Sequence, residues 1–543
     1  MTVAADLERG REAYARLAWQ DAHGALTAAD GIAPLGGDDL ELLATSAYML
    51  GREAEFLELM MRAHRAHVEF GDATATFRCA LWVGITLARR GDMGQATGWL
   101  SRAERVLDRV DPASVGRGYL MLPLAFEQEA GGDWEAAAAT LAEAVELGAQ
   151  AGEHDLFALA AHEQGHILII AGRIQEGLAL LDEAMVAVVA GELSPIVSGI
   201  VYCGVILACQ DAHQVARARE WTAALSRWCE RQPDLVAFSG RCLIHRAEIM
   251  QLGGAWPEAL EEARRAGKRC VEGGNPDAAG EAAYRQGEIR RVLGEDAAAE
   301  ECYRDASRQG REPYPGLALL RLAQGRLDAA EAAIRRVEAE ISAPGLRVAL
   351  LRAYVEIMLA VDDRAAARAA CDELDGLAEA DGEGALVAIA AQARGALELA
   401  EGDARRAAAA LRRAGEMWRQ LDAPYELART RALAARACRA LGDDESAALE
   451  LDAARTGFER LGARPDLERL DPLAASGGSR HGLTARELQV LRHIATGDTN
   501  KAIAAELVLS VRTIDRHVSN IFTKLGVSTR AAAVARAHEL GLL

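Results

Sequence analysis

Two histidines and a glutamate in the first half of the sequence have the spacing of a zinc site. His162 and His166 stand four residues apart with Glu163 between them, the H-E-x-x-H pattern in which both imidazoles bind zinc and the carboxylate acts as a base. A working site needs a third ligand, and these residues fall inside a helical repeat where Gly165 takes the place of a small packing residue. The pattern therefore predicts a packed helix, and we expect no metal here.

The sequence patterns of two other kinds of active site are even less complete than the H-E-x-x-H pattern. The Gly267-Lys268 pair lacks the upstream glycine and the following serine or threonine of a phosphate-binding loop. The strand pattern of a phosphorylatable receiver domain is also missing from the sequence. We therefore expect neither a cofactor nor enzymatic activity.

A second group of polar and charged side chains lies near the C terminus, on a predicted helix over 511–525. At about 100° per residue, its aliphatic positions fall on one side, and they are Ile514, Val518, Ile521 and Leu525. The opposite stripe carries Arg512, Arg516 and Ser519, with Asp515 at its flank. Such side chains read base edges, and a helix of about 22 Å is long enough to lie in a major groove. This stripe is the candidate reading face.

Capping signals divide the surrounding sequence into four short helices. Thr484 begins the first helix in a capping box with Glu487, and Gly497 ends it. Thr499 caps a second helix over 500–507, and Ser510 caps the third. Gly526 ends the third helix, and a fourth is predicted over 529–540. The sequence thus predicts a compact four-helix domain over residues 483–543.

The residues of this domain resemble the LuxR-type helix-turn-helix of bacterial regulators. The resemblance is carried by four short motifs: Leu483-Thr484-x-Arg486-Glu487, Gly497-x-Thr499-Asn500-Lys501-x-Ile503-Ala504, Leu509-Ser510-x-x-Thr513-Ile514-x-x-His517 and Asn520-Ile521-x-x-Lys524-Leu525-Gly526-Val527. It implies that the third helix enters the major groove of double-stranded DNA, that the second lies across the backbone, and that the fourth helps two protomers pair on DNA. We therefore expect a homodimer, at least on DNA.

The resemblance also assigns individual positions. It places Asp515, Arg516 and Ser519 at base-facing positions, and the helical wheel adds Arg512. It places five residues at phosphate-side positions, namely Asn500, Lys501, Thr513, Asn520 and Lys524. Two residues depart from the family pattern, because Ala502 replaces the usual acidic residue and Asp515 stands where many members have lysine. The alternatives are that Asp515 pairs with a neighbouring arginine, that Arg516 is a solvated surface residue, and that His517 only packs.

The body of the chain repeats a turn signal about every forty residues. Most steps are 39 to 43 residues, and the signals stand at Gly51, Gly91, Gly132, Gly172, Asp211, Gly254, Gly294, Gly325, Asp362, Gly402 and Gly442. Each is flanked by helical patterns of alanine and leucine, which is typical of a solenoid of helical hairpins. Eleven corners predict about 22 helices. The pattern resembles tetratricopeptide-like repeats with helices longer than standard.

These patterns predict an all-α chain of three parts. Residues 1–470 form a tetratricopeptide-like solenoid, residues 471–482 form a flexible linker rich in Pro, Gly and Ser, and residues 483–543 form the four-helix domain. A solenoid presents a concave groove, so we expect it to bind a protein, peptide or small-molecule effector, although a scaffold role stays open. The chain resembles the C-terminal part of large LuxR-family regulators without their ATPase.

The charge distribution and the cysteine content are those expected of a regulator that binds DNA through its C-terminal residues. The net charge is −20, yet residues 480–543 carry nine basic and five acidic side chains, which leaves −24 for residues 1–479. Nine cysteines without a C-x-x-C pair predict buried thiols in a reducing compartment. The uncharged stretch 193–210 contains a proline and is expected to be a buried helix rather than a membrane span.

The functional prediction is a cytoplasmic, sequence-specific DNA-binding transcription regulator, controlled through its helical repeats. The helix over 511–525 reads the major groove. The alternative is a helical-repeat interaction scaffold whose C-terminal domain binds protein rather than DNA.

Overall fold

The computed structural model describes residues 2–110, 115–232, 234–272, 275–341, 344–381, 384–475, 483, 485–507 and 509–543. Over these residues the fold is all-α, as predicted, with 29 helices. Before residue 476 the helices are α1 Val3–Ala15, α2 Trp19–Asp30, α3 Gly37–Met49, α4 Glu53–Phe70, α5 Ala73–Arg89, α6 Met93–Val110, α7 Gly116–Ala130, α8 Trp134–Ala151, α9 His154–Ile170, α10 Ile174–Ala190, α11 Pro195–Asp211, α12 Val215–Glu230, α13 Ser239–Leu252, α14 Trp256–Glu272, α15 Pro276–Leu293, α16 Asp296–Arg308, α17 Gly316–Ala323, α18 Leu327–Glu340, α19 Pro344–Ala360, α20 Arg364–Asp381, α21 Ala385–Glu401, α22 Ala404–Gln420, α23 Pro424–Ala440, α24 Asp444–Leu461 and α25 Arg464–Ala475.

Left-handed residues end the first helix of each hairpin at the predicted corners. Nine of the eleven corners are glycines with φ between 72° and 89°, a region that costs an L side chain free energy but not glycine. Asp362 adopts φ 61° and closes its corner in the same way. At the remaining corner α11 continues through Asp211, so the left-handed residue is His213, two positions later.

The described part of the body has 25 helices where eleven corners predicted about 22. The first hairpin, α1 and α2, turns at Leu17 with φ 58°, a corner that carries no glycine signal. Helix α25 follows the last hairpin alone. The short 31-residue step after Gly294 arises because α17 has only 8 residues, whereas most helices of the other hairpins have 17 or 18.

The last helix of the body also shortens the predicted linker. Helix α25 extends through Ala475, five residues into the segment assigned to the linker. The helix continues past Pro472 over Leu473, Ala474 and Ala475, whose helix propensities are high. The rest of the predicted linker, residues 476–482, lies outside the described residues.

The chain divides into two compact units. The first comprises Met1–Arg291, Glu295–Tyr354 and Glu373–Leu386, and the second comprises Val292–Gly294, Val355–Asp372 and Val387–Leu543. Along the described helices, none is both long enough and apolar enough to cross a membrane. Helix α11, the uncharged stretch of the sequence, has eleven buried residues and packs against α9, α12 and α13.

Within the first unit, the early helices contact a loop that follows much later in the sequence. The backbone N–H groups of Val236 and Ala237 donate to the carbonyl of Met49 at 2.9 and 3.1 Å. Trp19 Nε1, on a fully buried ring, donates to Gln232 Oε1 at 2.9 Å. These contacts join α2 and α3 to the α12–α13 loop, so the first unit closes on itself instead of contacting only sequential neighbours.

The C-terminal residues form the predicted four-helix domain. Its helices are α26 Ala485–Ala495, α27 Asn500–Glu506, α28 Val511–Leu525 and α29 Arg530–Glu539. Their apolar faces share one core, which is centred on Leu491, Ile503, Ile514 and Ile521. Leu483 is fully buried in this core, and Thr484, the predicted first cap, lies outside the described residues.

Candidate nucleic-acid interface

Helix α28 has the two-sided composition that its sequence predicts. Ser510 Oγ accepts from Thr513 N–H at 3.1 Å and begins the helix, and Gly526 ends it with φ 66°. Its buried residues are Ile514, Val518, Ile521 and Leu525. Because these four lie on one side, the other side is held outward by the packing of the domain.

The predicted base-reading residues lie on the outward side of α28. Arg512, Asp515, Arg516 and Ser519 are all exposed. The predicted phosphate-side residues are more varied, since Lys501 and Lys524 are exposed whereas Asn500, Thr513 and Asn520 are half-buried. Thr513 Oγ1 lies 2.7 Å from Ser510 Oγ, so this hydroxyl also supports the start of the helix.

A polar network fixes the second helix of the domain against the third. Asn500 Nδ2 donates to Asp515 Oδ1 at 2.6 Å, and the Arg530 guanidinium donates both to Asn500 Oδ1 and, at 2.6 Å, to the carbonyl of Asp498. The carboxylate of Asp515 thus bonds an amide and not the arginine considered as its alternative partner. Arg530 was not a candidate site residue, although its place in the basic C-terminal segment is a signal that could have identified it.

Lys524 has an internal partner. Its Nζ donates to both oxygens of Glu487 at 2.9 and 2.8 Å, and the Glu487 side chain is only 3% exposed. The sequence predicts that Glu487 completes a capping box. In the structure, its carboxylate forms an ion pair with Lys524. The ammonium of Lys524 therefore compensates a buried carboxylate within the domain.

The reading face of α28 contacts an acidic corner of the repeat domain. The guanidinium of Arg516 pairs with Glu445 in the first turn of α24, and the Arg486 N–H donates to Asp444 Oδ2 at 3.3 Å. Glu445 is preceded by Asp443 and Asp444, so three carboxylates stand together at this corner. Arg516 and Glu445 are 71 residues apart, and the sequence offers no signal for their contact.

His517 lies half-buried between this corner and the domain core. Burial holds the pKa of His517 below its usual range and outweighs the carboxylates of Glu487, Glu445 and Asp443, which act in the opposite direction. The imidazole is therefore largely neutral at pH 7.

The H-E-x-x-H residues in α9 are engaged with different partners. His162 is buried, and its Nδ1 donates to the carbonyl of Ala158 at 3.1 Å while its Nε2 lies 3.2 Å from Glu163. His166 Nε2 lies 3.0 Å from Asp211 on α11. Gly165 lies directly against α10, because a Cβ at this position would be 2.8 Å from the Gly177 carbonyl. The small residue therefore serves helix packing, as its repeat position predicts.

One other group of potential metal ligands occurs in the described part of the first unit. A ligand atom from each of Glu41, His67 and Cys79 lies within 4.8 Å of the others. The Glu41 carboxylate, however, already accepts from Arg78 at 2.7 and 2.8 Å and from His67 at 2.8 Å. Burial raises the pKa of the Cys79 thiol well above its usual range, which disfavours the thiolate that a metal needs. This group is best explained as an ion-pair network.

The first unit also contains a cavity of about 1310 Å³. Its wall comes mainly from the first helix of successive hairpins, namely α3, α5, α7, α9, α11 and α13. The loop that bonds Met49 supplies Val236, Ala237 and Phe238. The wall therefore combines apolar and charged side chains from several hairpins.

Comparison with known proteins agrees with this geometry. Residues 481–537 match the family model of bacterial regulatory proteins of the luxR family. Relatives of this segment include the transcriptional regulatory protein LiaR of Bacillus subtilis, 39% identical over 89 residues, and the probable transcriptional regulatory protein NarL of Mycobacterium tuberculosis, 52% identical over 61 residues. The matches cover 16% and 11% of this chain, and 42% and 28% of the two relatives. Residues 481–537 therefore belong to a luxR-family DNA-binding domain, and these matches leave most of the body uncovered.

Solved structures similar to the chain are helical-repeat proteins of low sequence identity. The APC/C hetero-tetramer Cut9–Hcn1 is 12% identical with a TM-score of 0.35, covering 85% of this chain and 95% of that one. The human IFIT1 dimer is 14% identical with a TM-score of 0.38, covering 77% and 89%.

Proposed function

We propose, on the premise that residues 481–537 are a luxR-family domain, that this protein is a sequence-specific DNA-binding transcription regulator whose helix α28 reads the major groove. The observation that carries the proposal is the division of α28 into a buried aliphatic side and an exposed side bearing Arg512, Asp515, Arg516 and Ser519. An arginine on such a face can donate two hydrogen bonds to a guanine, and Asp515 can accept from a cytosine amino group.

Phosphate contacts hold the helix in register. Lys501 is an exposed cation in the first turn of α27, and Asn500, Thr513, Asn520 and Lys524 complete the phosphate-side group. We assign α29 to pairing of two protomers on DNA, so that the half-sites lie about 10 base pairs, or a multiple of this, apart.

The repeat domain controls access to the reading face in this proposal. The guanidinium of Arg516 cannot pair with Glu445 and bind a base edge at the same time. The three carboxylates at the start of α24 carry the charge of DNA phosphates and would also repel an approaching duplex. The state with Arg516 on Glu445 is therefore closed, and DNA binding requires that this contact open.

The test compares full-length variants on a duplex selected from a random library. Glu445→Gln removes one charge from the closing contact and should tighten DNA binding about two- to fivefold, the worth of an exposed ion pair. Glu459→Gln, an exposed acid at the other end of α24, is the matched control and should bind like the parent. Fluorescence anisotropy measures both dissociation constants.

Loss of Arg516 tests the reading face itself. In the Glu445→Gln background, Arg516→Ala should cost about 1–3 kcal/mol of binding and relax the preference at one base position. Arg460→Ala, an exposed arginine at the end of α24, controls for the loss of one positive charge. Equal affinity and selectivity of the Arg516→Ala and parent proteins would contradict the proposed reading face.

A further inference from the structure

Three arginines on the wall of the first-unit cavity have no carboxylate partner among the described residues. They are Arg89 at the end of α5, Arg241 in the first turn of α13 and Arg269 near the end of α14. Arg89 donates to the Tyr48 hydroxyl at 3.3 Å, and Arg269 donates to Ser239 Oγ at 3.0 Å. The Arg89 and Arg269 guanidinium groups thus each donate a hydrogen bond to a neutral hydroxyl group.

Arg89, Arg241 and Cys203 line the same cavity. Burial raises the pKa of the Cys203 thiol to about 12, and both Arg241 and Arg89 act against that rise, so both guanidinium groups lie within electrostatic reach of Cys203. Two positive charges on one cavity wall attract an anion that enters the cavity. Arg241 also lies at the N-terminal end of α13, whose dipole adds to the positive potential.

Three acidic side chains of the cavity wall have polar partners other than Arg89, Arg241 and Arg269. Glu55 lies 2.8 Å from His23 and 3.6 Å from Arg52, Glu53 lies 3.9 Å from Arg90, and Glu163 lies 3.2 Å from His162. Asp277, in the first turn of α15, is the remaining carboxylate on the wall. With five arginines and four carboxylates among its lining residues, the cavity wall carries a net charge of +1.

The rest of the wall is apolar and accessible. Phe126 is 44% exposed and Leu207 is 39% exposed, although both line the cavity. Trp82, Leu122 and Leu159 lie on the same wall. A wall with accessible apolar side chains and a few convergent polar groups is typical of a small-molecule site.

We propose that this cavity binds a small organic anion with an apolar body. A carboxylate or phosphate group of the ligand is held by Arg89, Arg241 and Arg269, and its apolar part packs on Trp82, Phe126 and Leu207. The volume of about 1310 Å³ accommodates a ligand of drug size or larger. The role of this ligand as the effector of DNA binding rests on the function proposed above, whereas binding itself is measured without DNA.

The experiment is isothermal titration of the full-length protein with four amphiphiles of equal chain length, below their micelle concentrations. Octanoate and octyl phosphate carry the two candidate head groups, and octan-1-ol and octyltrimethylammonium are the neutral and cationic controls. We expect one or both anions to bind at least about tenfold more tightly than the controls, the worth of one charge-assisted hydrogen bond. The better anion identifies the head group.

Matched variants locate the site. Arg89→Gln combined with Arg241→Gln should weaken anion binding at least about tenfold, and Phe126→Asp should weaken it by removing apolar contact. Arg264→Gln removes an exposed arginine on α14 that pairs with Glu261 outside the cavity, and it should bind like the parent. Circular dichroism confirms that each variant folds.

Several outcomes would overturn the inference. Equal binding of all four amphiphiles would mean that the cavity selects for an apolar body and not for an anion. Undiminished anion binding by the double arginine variant would mean that the ligand binds at another site. Binding of an oligoglutamate peptide without binding of either anion would replace the small ligand with an acidic peptide. A protein that binds the anion but no DNA would refute the proposed function alone, and one that binds DNA but neither anion would refute this inference alone.

Discussion

Lys524 has a role in the fold of the C-terminal domain in addition to the phosphate contact proposed for it. Its ammonium compensates the carboxylate of Glu487, which is almost completely buried. Removing one partner of such a pair leaves a charge that water cannot solvate, and this costs more free energy than the intact pair contributes. A loss of DNA affinity on changing Lys524 would therefore report on stability as well as on phosphate contact.

We predict that Lys524→Met destabilises the C-terminal domain by about 1–3 kcal/mol, because the buried Glu487 carboxylate loses its ion pair with the half-exposed ammonium. Hydrogen–deuterium exchange of peptides from α28 in the full-length protein measures the local free energy of unfolding. Lys501→Met changes an exposed lysine of the same domain and should alter that free energy by less than about 0.5 kcal/mol. Unchanged protection in Lys524→Met would mean that the ion pair is energetically unimportant.

At the scale of elements, the helices of the body pack by small residues at their crossings. At Gly165 a Cβ would be 2.8 Å from the Gly177 carbonyl and 2.9 Å from Leu181 Cδ2, and at Gly177 it would be 2.4 Å from the Gly165 carbonyl. The backbones of α9 and α10 therefore touch directly. Elsewhere a helical glycine has no such neighbour, since a Cβ at Gly98 in α6 meets nothing within 4 Å.

The two glycines should respond oppositely to the same substitution. Gly165→Ala should destabilise the first unit by about 1–3 kcal/mol, because a packed interface must move apart. Gly98→Ala should stabilise the protein by about 0.5–1 kcal/mol, since alanine loses less entropy in a helix than glycine. Calorimetric melting of the full-length variants measures the sign of each stability change. A stabilising effect of Gly165→Ala would contradict close packing of α9 against α10.

Local signals made the elements predictable. Helix α28 begins after Ser510 and ends at Gly526 because each end is determined by one capping residue, and both ends were predicted correctly. The glycine corners were predictable for the same reason. The α1–α2 corner at Leu17 was missed because a leucine gives no turn signal, and the end of α25 was missed because its helix formers follow a proline.

The long-range features could not be predicted in this way. Arg516 meets Glu445 across 71 residues, and Arg89 and Arg241 line one cavity only because the hairpins stack. No pattern within one repeat encodes these contacts. The sequence indicated which residues face outward from α28, whereas the closed contact and the cavity follow from tertiary packing alone.

At the scale of the whole molecule, charge is divided between an acidic body and a basic end. Residues 1–479 carry −24, and residues 480–543 carry +4. The body repels phosphate, so DNA binding depends on a few exposed cations of the C-terminal domain. Lys501 and Arg512 are exposed cations of this domain, and the proposed dimer would present each of them twice.

We predict a steep dependence of DNA binding on salt. If a dimer neutralises four phosphates at about −0.9 per phosphate, affinity falls about 100-fold between 50 and 200 mM salt. Anisotropy titrations over that range measure the slope, and Lys501→Gln should reduce it by about one unit per protomer. Arg460→Ala lies in the body and should leave the slope unchanged. A flat salt profile would exclude phosphate contacts as the source of affinity.

The hydrogen bonds from Val236 and Ala237 to Met49 have a consequence for how the chain is made. The ribosome adds about 5–20 residues per second, so the roughly 190 residues between these partners take about 10–40 s to emerge. During that interval the surfaces of α2 and α3 that later contact the α12–α13 loop remain uncovered. Chaperones or other nascent chains can therefore bind these uncovered surfaces until the seventh hairpin begins to leave the exit tunnel.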